Sequence, residues 1–165
     1  MTPESIAAVG KEAERLEEDV LYAEKQHFSM ATVWRRIHLS LGIPGSIFAA
    51  LAGLSAVSAK PVLAAALAMC SAILTALLTF LNPAKTGTAH HQAGIQYNHL
   101  RGKLRRLHEI DLLSGPSTDL RGKLDEFAGE KTRIMETAPH IGGFAYRLGK
   151  ASILREEHKH AVHSG

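Results

Sequence analysis

The chain has 165 residues, with 19 Lys and Arg against 16 Asp and Glu, ten His and one Cys, and only 5% aromatic residues. One thiol excludes an internal disulfide framework, and so few aromatic rings leave no stacking platform for single-stranded nucleic acid. The net charge of +3 is mildly basic. The mean hydropathy of -0.02 averages two unlike populations, because between His38 and Lys85 the only charged residue is Lys60.

In chain order, the first predicted element is a helix over residues 4–37. Val9, Ala13, Leu16, Val20, Ala23, Met30 and Trp34 follow a 4-3 spacing, with His27 in the remaining slot, which is a heptad-like apolar stripe. His27 reads there as a core or edge histidine. No Pro or Gly interrupts residues 11–41, so the helix is expected to run straight into the first apolar segment.

That segment, residues 38–57, reads LSLGIPGSIFAALAGLSAV from Leu39 on, and stays free of charge to Ala59. A second, Pro61–Leu81, reads PVLAAALAMCSAILTALLTFL. Each is close to the roughly 20 apolar residues that cross a hydrocarbon core of about 30 Å. Two transmembrane helices follow, joined by a turn so short that they must be antiparallel neighbours. The 38 residues before the first segment argue against a signal peptide, and roughly 120 residues outside the pair are too few to bury it in a soluble shell. Arg35 and Arg36 precede the first span, and Lys85, Arg101, Lys103, Arg105 and Arg106 follow the second. The Lys/Arg rule therefore places both termini in the cytoplasm, with Trp34 as an interfacial anchor.

Small residues recur every fourth position: Gly45, Ala49 and Gly53 on the first span, and Ala64, Ala68, Ala72 and Ala76 on the second. Such ridges let helix backbones approach closely in lipid. They either pack one span on the other or pack between copies of the chain. Ser71, Thr75 and Thr79 form a hydroxyl stripe on the second span. It either satisfies its own i−4 carbonyls or lines a pore in an oligomer. No acid or base lies mid-span, which disfavours a proton relay or ion-coupled transporter. Cys70 reads as a small apolar side chain.

After Asn82-Pro83 a helix over residues 84–113 carries Ala93, Tyr97, Leu100, Leu104 and Leu107 and is expected to return beside the first helix as an antiparallel cytoplasmic stalk. Ser114-Gly115-Pro116-Ser117 breaks it, with Gly115 as C-cap and Ser117 as the next N-cap. A helix over 117–138 carries Leu120, Leu124, Phe127 and Ile134. A last helix over 143–156 carries Phe144, Leu148, Ala151 and Leu154, and residues 157–165 form a polar tail. The fold class is thus an all-α membrane protein: a transmembrane hairpin extended into a helical stalk, with two further C-terminal helices.

Catalytic signatures are absent. Thr86-Gly87-Thr88 lacks the frame that cradles phosphates, and there is no HExxH, CxxC or GxSxG. Carboxylates, Glu17 and Glu18 among them, read as solvated stalk positions. Adjacent His90 and His91 point about 100° apart on a helix, so they share a metal poorly. His158, His160 and His163 cluster in the tail, which reads as disordered. No enzyme activity, metal or cofactor is expected, and the cationic residues after the second span suit lipid or acidic partners better than nucleic acid.

RRIHLSLGIPGSIFAALAGL at the first span, NPAKTGTAHHQAGIQYNHLRGKLRRL after the second, and APHIGGFAYRLGKASI further on make the layout resemble the SLATT family, two-transmembrane bacterial proteins of biological-conflict systems. The resemblance covers about residues 10–155 as a single domain and rests on helical pattern with Pro44, Pro83, His91, Tyr97, Leu100, Pro139, Tyr146 and Ala151. It implies a homo-oligomeric effector that permeabilises the bacterial inner membrane in anti-phage defence or abortive infection. Its trigger would be a nucleotide-signal synthase or another sensor encoded nearby. The alternative is a membrane-anchored scaffold or signalling partner with no pore of its own.

Overall fold

A computed structural model describes residues 3–111 and 119–141, and apart from short connections and ends these are helical, with no strand among them. Helix α1 spans Pro3–Val57, α2 Pro61–Leu81, α3 Pro83–Arg106, and α4 Leu120–Thr137. A single π-helical turn, Leu107–Asp111, follows α3. The sequence pattern did not signal it. The segment 112–118 with Gly115 and Ser117, and residues 142–165 with the helix at 143–156 and the tail, lie outside the described residues.

The described chain divides into two compact units. The first takes residues up to Met30 and from Ala89 onward. Its core is Val9, Ala13, Val20, Tyr97, Leu100, Leu104, Leu107, Leu120, Leu124 and Ile134, with Leu16, Ala23 and Phe127 partly buried against it. Residues on α1, α3 and α4 recur at spacings of three and four, so each helix turns one apolar stripe inward. Leu100 and Leu104 are wholly buried. Ion pairs brace the edges: Lys103 with Glu130 at 2.8 Å, Lys131 with Asp19 at 2.7 Å and Lys123 with Asp111 at 2.7 Å. Helix α4 is capped by Asp119, whose Oδ1 accepts from the Gly122 N–H at 2.9 Å. The carboxylate lies over Gly122, where a β-carbon would make it turn aside.

The second unit is Ala31–Thr88. In it the apolar part of α1 touches α2 in an antiparallel sense. A β-carbon at Gly42 would meet Leu78 at 3.7 Å, and one at Gly45 would meet Leu74 at 3.4 Å. The two glycines are the hollows into which two leucines fit, and the shared face continues through Ala52 and Ser55. Pro44 stands inside α1 without breaking it, although its missing N–H leaves the Ser40 carbonyl without a helical donor. Two stretches, Glu4–Val57 and Pro61–Asp111, contain a window long and apolar enough to cross a membrane. A core helix of a soluble protein has such a window mostly buried. Here 11% of the first and none of the second is buried.

Two short connections each hold a left-handed residue; the first reverses the chain, and the second passes α2 on into α3 without a reversal, since Leu78 and then Gly87 lie against successively earlier residues of α1. Ala59 has φ 55°, and the Lys60 N–H closes the turn on the Ser55 carbonyl at 3.0 Å. Asn82 has φ 41°, its N–H reaches the Leu78 carbonyl at 3.0 Å, and Pro83 opens α3 at once. Asparagine tolerates this conformation, while alanine pays a steric penalty of about 1 kcal/mol. Ala59→Gly is therefore expected to raise the thermal midpoint in detergent by a few degrees, an effect of up to about 1 kcal/mol. An unchanged or lower midpoint would count against a left-handed Ala59.

Candidate functional site

Two regions carry functional groups, one in each unit. In the apolar unit, the small residues divide. Gly45 is buried and Ala64 half-buried on the face shared by α1 and α2, whereas Ala49, Gly53, Ala68, Ala72 and Ala76 are exposed. The intrachain contact uses Gly42 and Gly45, three apart, with Leu74 and Leu78 above them. Packing of one span on the other thus accounts for only two of the seven ridge positions. Beside the free small residues stand large ones equally open: Ile43 at 56%, Leu54 at 64%, Val62 at 83%, Met69 at 67% and Phe80 at 88% exposed. A soluble monomer rarely carries an apolar surface this continuous.

The hydroxyl stripe also divides. Ser71 is half-buried and donates to the Gly45 carbonyl across the helix pair at 2.9 Å. Thr79 is exposed and donates to the Thr75 carbonyl one turn back at 2.9 Å. Thr75 is exposed. Cys70 is exposed as well.

In the other unit, a polar layer interrupts the heptad core. His27 and His90 are 5% and 1% exposed, with their Nδ1 atoms 3.0 Å apart. One ring must donate the proton that the other accepts, so the neutral pair holds a single Nδ1 proton. Tyr97 stacks on His27 with ring centroids 5.5 Å apart. Burial lowers the His27 pKa from its ordinary value. Burial, and then the charge His27 would carry, push His90 down to about 4. Burial also raises the Tyr97 phenol. One turn along α1, buried Glu24 accepts from Asn98 at 2.9 Å and from Arg101 at 3.3 Å, and Arg101 also approaches Glu17 at 3.8 Å.

This layer corrects the sequence reading at the carboxylates and adds a partner for His90. Glu24 is 8% exposed and Glu17 half-buried against Arg101, so not every carboxylate here lies on a solvated face. His90 and His91 do diverge, but His90 turns inward to His27 while exposed His91 meets the Phe28 ring at 5.5 Å. The sequence signal for Glu24 was its place beside the 4-3 stripe. The pairing of histidines 63 positions apart had no local signal. Among the described residues, no group of three or more His, Cys, Asp or Glu is placed to hold a metal ion.

No protein-family model, curated protein or solved structure matches this chain.

Proposed function

We propose that the chain is a multi-pass protein of the bacterial inner membrane, crossing the bilayer as a hairpin of residues 39–57 and 61–81 with both termini in the cytoplasm. Copies of it associate through the spans into an oligomer that permeabilises the membrane. The observation that carries this reading is the set of small residues left open by the α1–α2 contact: Ala49, Gly53, Ala68, Ala72 and Ala76. In lipid, where apolar bulk gives helices no preference for each other, small residues are the surfaces on which backbones come close. These open small residues need a second copy to pack against, and a lone helix pair encloses no channel. The SLATT resemblance supplies the biological frame: an effector of anti-phage defence, driven by a nucleotide signal or a partner sensor.

The test is Ala68→Leu with Ala72→Leu. Both positions are exposed, so added bulk leaves the Ser71–Gly45 contact alone and strikes only neighbours. Expressing cells should lose dye leakage and depolarisation, and crosslinked oligomers should disappear while the chain stays in the membrane fraction. Leakage that persists with normal assembly would refute the ridge account.

A second reading, a membrane-anchored scaffold or signalling partner, draws on one observation. Ser71 and Thr79 already spend their hydroxyls inside the chain, which reduces the polar face a pore would need. Under it, wild-type expression leaves both dye and membrane potential unchanged.

A further inference from the structure

We propose that Arg35, Arg36 and Lys85 form a docking band for anionic phospholipid headgroups at the cytoplasmic end of the helix pair, an inference that rests on the spanning reading above. The first observation is charge without compensation. From Lys25 to His108 the chain contains no carboxylate. Arg35, Arg36 and Lys85 are exposed, and no acid pairs with them among the described residues. In the other unit carboxylates are at hand, and Arg101, Lys103, Lys123 and Lys131 each meet one. Three unpartnered cations in one place call for an external anion.

The second observation is their common height. Gly87 lies against α1 so closely that a β-carbon there would stand 3.2 Å from the Trp34 Cβ, 3.5 Å from the Ala31 oxygen and 3.8 Å from the Arg35 nitrogen. This fixes Gly87 level with Arg35. Lys85 is two residues from Gly87 and Arg36 one residue from Arg35, so at 1.5 Å per residue the three cations fall within a slab about 5 Å thick.

The third is the distance to the apolar edge. Leu39 lies four residues beyond Arg35 and Leu81 four residues before Lys85, which puts both cations about 6 Å outside the apolar belt. That is the depth of the headgroup layer, which adds roughly 5–8 Å on each side of the hydrocarbon core. The groups at that depth with matching charge are lipid phosphates, and each nearby Lys or Arg strengthens attraction to an anionic leaflet. The half-buried Trp34 at the same level suits the interface too.

Trp34 is the only tryptophan, so it reports on this band directly. The full chain is reconstituted in phosphatidylcholine vesicles that carry either brominated phosphatidylcholine or brominated phosphatidylglycerol in equal proportion. Quenching of Trp34 should show a preference for phosphatidylglycerol of about fivefold or more. The preference should collapse towards one in R35Q/R36Q/K85Q and in high salt. Lys60→Gln, at the opposite turn, should leave it intact and serves as the folded control beside far-UV helicity. Equal quenching by both lipids, or a preference surviving in the triple variant, overturns the band. A preference of one together with capture of polyglutamate by the detergent-held chain assigns the patch to an acidic protein and also overturns it. Quenching by neither lipid sinks the spanning reading instead, so the two failures are distinct.

Discussion

Replacing Ile47 and Ile73 together by arginine is expected to remove the protein from the membrane fraction. Both side chains are more than half exposed, at 51% and 56%. Ile47 lies near the middle of the apolar part of α1 and Ile73 near the middle of α2. Exposure means opposite things in the two solvents. On a protein surface in water, exchanging an exposed isoleucine for arginine changes stability by at most about 0.5 kcal/mol and improves solubility. At the centre of a bilayer each arginine costs about 2.5–3.5 kcal/mol by insertion scales, so the pair costs about 6. Snorkelling recovers little from positions this far from either end. The check is extraction of the membrane fraction with alkaline carbonate, which should leave the wild type in the pellet and release or degrade the double variant. Tyr22→Arg, at a 64% exposed position in the other unit, should behave as wild type. A double variant that stays folded and becomes more soluble would make residues 39–81 a surface of a water-soluble assembly.

That the described residues are mainly helical, with two stretches able to cross a membrane, was legible because the signals are compositional. Lys60 alone interrupts the charge-free run, and the 4-3 spacing of Val9, Ala13, Val20 and of Tyr97, Leu100, Leu104, Leu107 reappears as buried residues. The same logic fails inside the apolar run. Where nearly every side chain is apolar, periodicity carries no information about which face meets which. The choice is made by shape, with Leu74 and Leu78 over Gly45 and Gly42, and an i, i+4 count of small residues does not see it. Local ambiguity explains the cap. Ser117 and Asp119 are both good N-caps, and two candidates two residues apart leave the start of the helix open in the sequence, while Asp119 caps the helix that begins at Leu120. Pairings such as Glu24 with Asn98 and Arg101 need the register between α1 and α3, which no single helix encodes. The free cations at Arg35, Arg36 and Lys85 were legible one by one. Their common height needed the Gly87 contact.

Acidification should weaken the polar layer, and the histidine pair fixes both the direction and the range. Folding buries His27 and His90 as neutral rings, with pKa values below those of the unfolded chain, and about 4 for His90. Above pH 6.5 neither state binds the extra proton and stability is flat. Between 6.5 and about 4 the unfolded chain binds protons that the folded one refuses, so stability falls as pH falls, by on the order of 2 kcal/mol in all. Below about 4 His90 protonates in the folded chain as well, and its share of the loss levels off. The neighbours that face the pair do not offset this. Tyr97 is neutral across the range, and Glu24 on the next turn is already engaged by Asn98 and Arg101. Removing one partner should be worse than removing both. His27→Leu leaves the buried His90 nitrogen without its partner and costs about 1–3 kcal/mol, while His27→Leu with His90→Leu fills the site with apolar atoms and lies within about 1 kcal/mol of wild type at pH 7. The double variant also loses the slope between pH 6.5 and 4. Amide hydrogen exchange at the buried Leu100 and Leu104 positions of the full-length chain in detergent reads this unit without averaging over the apolar one. A slope that survives in the double variant would place the acid sensitivity elsewhere. Equal damage from the single and double changes would mean that the two rings contribute shape rather than a shared proton.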